Sequence, residues 1–111
     1  MANVQTVSID PIRVLAEASI GATYVAFGTP FTNPVRLIVV ANNTDGDMYI
    51  SDDGVNNKMF VGAGVTRVLD LNTNRLANDK YWAFPNNTQF YIKYITMPTK
   101  GAVYLEAYWG Q

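Results

Sequence analysis

The residues predict an all-β, single-domain antiparallel sandwich, and three observations carry that prediction. Apolar runs are short, turn signals separate them at roughly 8–12-residue spacing, and no long stretch holds a convincing helical period. At 111 residues and 12.3 kDa the chain can bury one two-layer core and no second one. It therefore reads as one domain over residues 1–111, with residues 1–8 as a flexible N-terminal arm.

Met1 to Val7 lack a compact pattern. Asp10-Pro11 resembles a helix N-cap followed by proline at the first helical position, with Gly21 as the stop, and Ile12, Leu15, Ala16 and Ser19 would share a helical face. Period two fits better: Ile12, Val14, Ala16, Ala18 and Ile20 fall on one side and Arg13, Glu17 and Ser19 on the other, with only Leu15 out of place. A strand with Ile12 and Val14 inward is expected. Thr23 to Phe27, between Gly21 and Gly28-Thr29-Pro30, is a short strand rich in residues that suit a half-buried pleated surface.

Val35 to Ala41 is apolar on both faces after Arg36, as befits a central strand covered on each side or a strand at a subunit contact. Asn42-Asn43-Thr44-Asp45-Gly46 predicts a hairpin turn through its Asp-Gly pair, with Asp47 to Ser51 returning antiparallel. Ser51-Asp52-Asp53-Gly54 turns the chain into a short strand around Lys58 to Val61. Gly62-Ala63-Gly64 interrupts before Val65 to Leu71, which sets Arg67, Leu69 and Leu71 opposite Thr66, Val68 and Asp70. Residues 72–87 form the longest irregular piece. Gln89 to Ile95 and Ala102 to Trp109 alternate cleanly; the latter turns Val103, Leu105, Ala107 and Trp109 inward and Tyr104, Glu106 and Tyr108 outward. About eight strands result, and a jelly roll is the eight-stranded sandwich that fits best.

Composition narrows function. The chain has no histidine and no cysteine, so the commonest general base, the thiol nucleophile and the usual zinc and copper ligands are absent. Charged residues make up 15%, against a usual figure of roughly a quarter. The formal net charge of −1 supplies no electrostatic footprint for nucleic acid and no polybasic patch for a membrane surface. No run approaches the ~18 apolar residues of a membrane-spanning helix, and the first residues lack a signal-peptide pattern. Eleven asparagines make the loops soluble without charge, but they do not account for seven tyrosines. Weak self-repulsion suits a protein packed against something.

Individual motifs are weak. Asp52-Asp53 are adjacent in a turn, where side chains point apart, and make a poor acid–base pair. Asn43 to Asp47 opens like a calcium loop, but Met48 stands where the loop needs glycine and Gly54 where it needs a bidentate glutamate. Asn42-Asn43-Thr44 and Asn86-Asn87-Thr88 match a glycosylation sequon, a chance match in so asparagine-rich a chain. Gly62-Ala63-Gly64 lacks the lysine and helix of a phosphate loop. No enzyme, cofactor or metal site is expected. Among the aromatics, Phe27, Phe60 and Phe90 read as core. Tyr104 and Tyr108 lie opposite the inward residues of the last strand, and Tyr81, Trp82 and Phe84 fall in the long irregular piece; these five are the candidate partner-binding residues.

The segment Asn33 to Thr44, then Tyr49 to Asn56, Gly62-Ala63-Gly64, Leu69 to Asn74, Thr88 to Tyr94 and Gly101 to Tyr104 resembles small virion structural proteins of tailed bacteriophages. Within that group, length and all-β pattern are similar to the capsid decoration, or staple, proteins of short-tailed Salmonella phages. The resemblance spans most of the chain from about Arg13 onward and rests on β-turn signatures. It implies a jelly-roll-like module bound outside an icosahedral shell, bridging neighbouring major capsid proteins as a homodimer, made in the host cytoplasm and carried on the virion. A tail or connector component and a carbohydrate-binding module, with Trp82 or Trp109 as the stacking plane, are the alternatives.

Overall fold

A computed structural model describes residues 7–71 and 83–110. Nine strands form two antiparallel sheets: β1 (Val7–Ile9), β2 (Arg13–Ala16), β3 (Val25–Ala26), β4 (Leu37–Asn42), β5 (Met48–Ser51), β6 (Met59–Val61), β7 (Thr66–Asp70), β8 (Tyr91–Tyr94) and β9 (Ala102–Gly110). The front sheet runs β1/β2-β9-β4-β7, with β1 and β2 both on the same edge of β9; the back sheet runs β3-β8-β5-β6. Counting β1 and β2 as one interrupted strand gives the eight strands expected, in the pairing order of a jelly roll: first with last, second with seventh, third with sixth, fourth with fifth.

Alternation builds the core. Ile38 and Val40 of β4 and Val103, Leu105 and Ala107 of β9 point inward from the front sheet, and meet Met48, Ile50, Val61 and Ile92 from the back sheet; all nine are buried. Two sheets ~10 Å apart interdigitate only if every second residue is apolar, which these strands supply. Phe27, Phe31 and Phe90 close one end of this layer, with Phe31 and Phe90 ring centroids 5.3 Å apart.

Three local expectations change. The first concerns facing: Arg13 is buried, whereas Ile12 and Val14 are 53% and 48% exposed. The register gives the reason. Ile9 pairs with Tyr108 and Arg13 with Leu105, so three residues on the edge oppose two on β9, a one-residue bulge. The bulge reverses the parity of every later residue in the strand, so Asp10 and Arg13, which strict alternation would put on opposite faces, both turn inward. They pair at 3.2 Å, with side chains 4% exposed for Arg13 and 1% for Asp10. Arg13 also donates from Nε to Thr29 O at 2.7 Å, from Nη1 to Pro11 O at 2.9 Å and from Nη2 to Pro30 O at 3.0 Å, and its guanidinium lies 4.8 Å from the Phe31 ring centroid. Asp10 accepts the Thr32 hydroxyl at 3.0 Å, so it anchors this loop and caps no helix; a 3₁₀ turn over Glu17–Ser19 comes after β2. Gly28, at φ 74°, lets the loop close over Arg13: a Cβ there would stand 2.6 Å from Arg13 Cγ.

The second change is at Asn42 to Gly46. This turn makes no hairpin; it carries the chain from β4 in the front sheet to β5 in the back sheet. β4 already has β9 and β7 as neighbours, so no edge remains for β5. Asn42 is fully buried, and its Nδ2 reaches Gly46 O at 2.9 Å and the Val61 and Gly62 carbonyls at 3.1 Å, while Oδ1 accepts from Thr44 N at 3.1 Å. The amide stitches the two layers together where the chain crosses. Gly46 packs against the Thr96 carbonyl, leaving no room for a Cβ. The third change is Phe60, which is 48% exposed on the outside of β6 and not in the core. Of the expected N-terminal arm, Val7–Ile9 is strand β1; residues 1–6 lie outside the described residues.

Candidate docking surface

Side chains opposite one another across an antiparallel ladder share a face, so register fixes which residues the front sheet shows to the outside. One row across it reads Ile9, Tyr108, Leu37 and Asp70. The next reads Glu106, Val39 and Val68. A third reads Val14, Tyr104, Ala41 and Thr66. Ile9 is 64%, Val14 48% and Val68 57% exposed, and the tyrosines between them are half-buried by these neighbours. Four strand widths of ~4.8 Å and three rows of ~6.8 Å, two residues each, give a mainly apolar field of roughly 19 by 20 Å. That places it in the size class, about 300–600 Å², of the largest patch on a monomer, which is often functional.

The charges on this face are both acidic. Asp70 is at the rim, and Glu106 lies in the middle row, between the two tyrosines of its own strand. Tyr108 leans toward it, with its Oη donating to Glu106 Oε1 at 3.2 Å. That hydrogen bond, and then the carboxylate's charge, raise the Tyr108 phenol above its ordinary pKa. Among the described residues Glu106 has no ion-pair partner.

The back sheet turns outward a different set. Tyr49 pairs with Lys93 on one side and Phe60 on the other, and Ser51 and Ala26 pair with Tyr91. Lys93 Nζ lies 4.8 Å from the Tyr24 ring centroid and 5.9 Å from that of Tyr49, while Tyr49 and Phe60 meet edge-on at 6.3 Å. Tyr24 Oη donates to Asn57 Oδ1 at 2.6 Å. Burial, and then the nearby Asp53 charge, raises the Tyr24 phenol. The polar and charged groups of this face contact one another, while Phe60 beside Tyr49 stays 48% exposed.

Of the five residues singled out from sequence, the fold brings Tyr104 and Tyr108 together on the front face. Phe84 sits elsewhere: it is half-buried between the layers, pairs with Val35 and meets Phe90 edge-on at 5.3 Å. It lines a cleft of about 380 Å³ at the open side of the sandwich, with Ile50, Met59, Phe60 and Leu69. Tyr81 and Trp82 lie outside the described residues. Ile9, Val14 and Val68 were missed as surface residues, whereas Leu37 and Val39 belong to the strand whose two apolar faces suited a subunit contact. The signal for Val68 was its place opposite Leu69 in the alternation, and that for Val14 was hidden by the bulge.

The remaining polar clusters serve turns. Asp53 accepts from Ser51 Oγ at 2.6 Å, Val55 N at 2.8 Å, and Asn56 N and Nδ2 at 2.9 and 2.8 Å. The Ser51 hydroxyl, then the Val55 and Asn56 donors, hold its carboxyl far below the usual range. Asp52 pairs with Lys58 at 3.0 Å, a base that adjacency in sequence did not reveal. Asp45 accepts from Thr99 N at 2.7 Å and Asp47 from Ala63 N at 2.9 Å, so the oxygens of the calcium-like stretch diverge toward protein donors. Among the described residues no group of three acidic, histidine or cysteine side chains converges.

No protein-family model and no curated protein matches this chain.

Proposed function

We propose that this chain is a virion structural protein that decorates the outside of an icosahedral phage capsid and clamps neighbouring major capsid proteins. The observation that supports this is the outward face of the front sheet, where a continuous aliphatic field holds two tyrosines and one central carboxylate. Such a face is expensive to leave in water and carries no chemistry for a substrate, so it acts by being covered. A standard interface buries ~800 Å² per partner, and a few well-packed tyrosines set in such a field can dominate its strength. Repetition over many equivalent positions on a shell multiplies the holding force. The family resemblance points the same way.

Particles lacking the protein should release their DNA at lower temperature and under milder osmotic shock than complete ones, and added protein should restore them at many copies per shell. Equal stability with no particle-bound copies defeats this function; density at the tail vertex alone moves the protein to the tail. A second reading, glycan binding, draws on the Tyr24, Tyr49 and Tyr91 platform of the back sheet. Glycan-array binding lost in Tyr49→Ala would favour it.

A further inference from the structure

We infer that the front face seats an arginine of its partner on Glu106, between the rings of Tyr104 and Tyr108. This rests on the docking function proposed above and specifies the chemistry the partner must bring. Charge is the first reason. Among the residues whose register places them outward on the front sheet, the charged ones are Glu106 and Asp70, and none is basic. Glu106 occupies the middle row with Val39 and Val68, so a partner covering the aliphatic residues must also cover this carboxylate. Its one hydrogen bond within the described chain, from Tyr108 Oη, leaves acceptor sites open. A buried carboxylate with a single neutral donor is costly, and a cation from the partner removes that cost.

Arginine fits better than lysine. Tyr104 and Tyr108 stand about 7 Å to either side of Glu106 along β9, at ~3.4 Å rise per residue, so a cation on the carboxylate comes within reach of both ring faces. A planar guanidinium can bond a carboxylate with two parallel N–H groups and stack on an aromatic ring at once. Tyrosine and arginine are also the side chains that most often dominate interface energetics. A second copy of this chain is the poorer occupant, since an isologous pairing of this face about its centre brings Glu106 against Glu106 with no cation to separate them.

The probe is an acetylated, amidated pentapeptide with a central arginine flanked by valine and leucine, titrated into the isotopically labelled full chain and monitored by amide chemical shifts. Shifts should gather at Val39, Tyr104, Glu106 and Tyr108. A peptide with central lysine should bind more weakly, and one with glutamine weaker still. Glu106→Gln, with its spectrum elsewhere unchanged, should lose roughly tenfold to a hundredfold in affinity, the loss expected of a charge-assisted pair. Equal binding of the arginine and glutamine peptides, unchanged binding by Glu106→Gln, or shifts confined to another face each overturn the inference. So does a wild-type dimer in sedimentation that Val68→Lys dissociates, because the face is then taken by a second copy. Binding of the same proteins to undecorated shells separates the two claims. Peptide binding without shell binding defeats the capsid function alone, whereas shell binding that Glu106→Gln leaves intact defeats the arginine seat alone.

Discussion

Across one shared core, the front sheet turns Ile9, Val14, Val39 and Val68 outward, whereas the back sheet turns out Tyr24, Tyr49, Tyr91 and Lys93. The back-sheet set satisfies itself: the Lys93 ammonium lies over two phenol rings, and Tyr24 donates to Asn57. The aliphatic side chains of the front-sheet set cannot make such contacts and gain only from being covered. On the docking function proposed above, the difference separates a face whose side chains contact one another from a face that a partner would cover. It also assigns different readouts to the two, stability for the back and binding for the front.

Two substitutions test the frame that both faces share. Arg13→Met strands Asp10 inside the front edge, and breaking a buried pair of this kind costs about 3–5 kcal/mol. Denaturant titration should show stability falling by that amount, and a near-neutral result would mean the bulge contributes little. Leu105→Ala removes a fully buried side chain at the centre of β9 and should cost about 2–5 kcal/mol by the same measurement, with an unchanged denaturant slope.

Smaller changes distinguish the two faces. Lys93→Met removes the cation held by the back-sheet tyrosines and should cost roughly 0.5–1 kcal/mol in thermal or chemical unfolding. Val68→Lys on the front should leave stability within about 0.5 kcal/mol of wild type while abolishing attachment to shells. Equal effects of the two on stability would erase the distinction between the faces. The smallest effect concerns pH. Asp53 is ionised far below its ordinary range because the Ser51 hydroxyl and the Val55 and Asn56 donors hold the carboxylate. Its contribution is fully present above the unfolded value, about 3.9, and is lost as pH falls through the depressed folded value. The stability of the wild type should therefore fall below about pH 4, and Asp53→Asn should flatten part of that slope.

Much of this was legible in the residues. The last strand alternates without interruption, so Val103, Leu105 and Ala107 inward and Tyr104, Glu106 and Tyr108 outward result from a period of two, and β9 carries the centre of the candidate site. The first strand misled for a definite reason: Ile12 and Val14 do share a side, but the bulge before Arg13 and the Asp10–Arg13 pair turn that apolar side outward. Asp45-Gly46 carried a turn signal that was correct about reversal and silent about destination. A hairpin and a crossing between sheets use similar local residues, and they differ in whether the preceding strand still has a free edge.

Sequence by itself determined the class of fold, the inward stripe of the last strand and the low charge of the chain, because these depend on composition and on spacing within a few residues. Tertiary structure alone decided that β4 lies between β9 and β7, that Asp10 and Arg13 face each other inside, and that Val14, Val39, Val68, Tyr104 and Tyr108 share one surface around Glu106. Those facts belong to register between segments far apart in the chain, and register is set by the joint packing of both layers, which no single segment encodes.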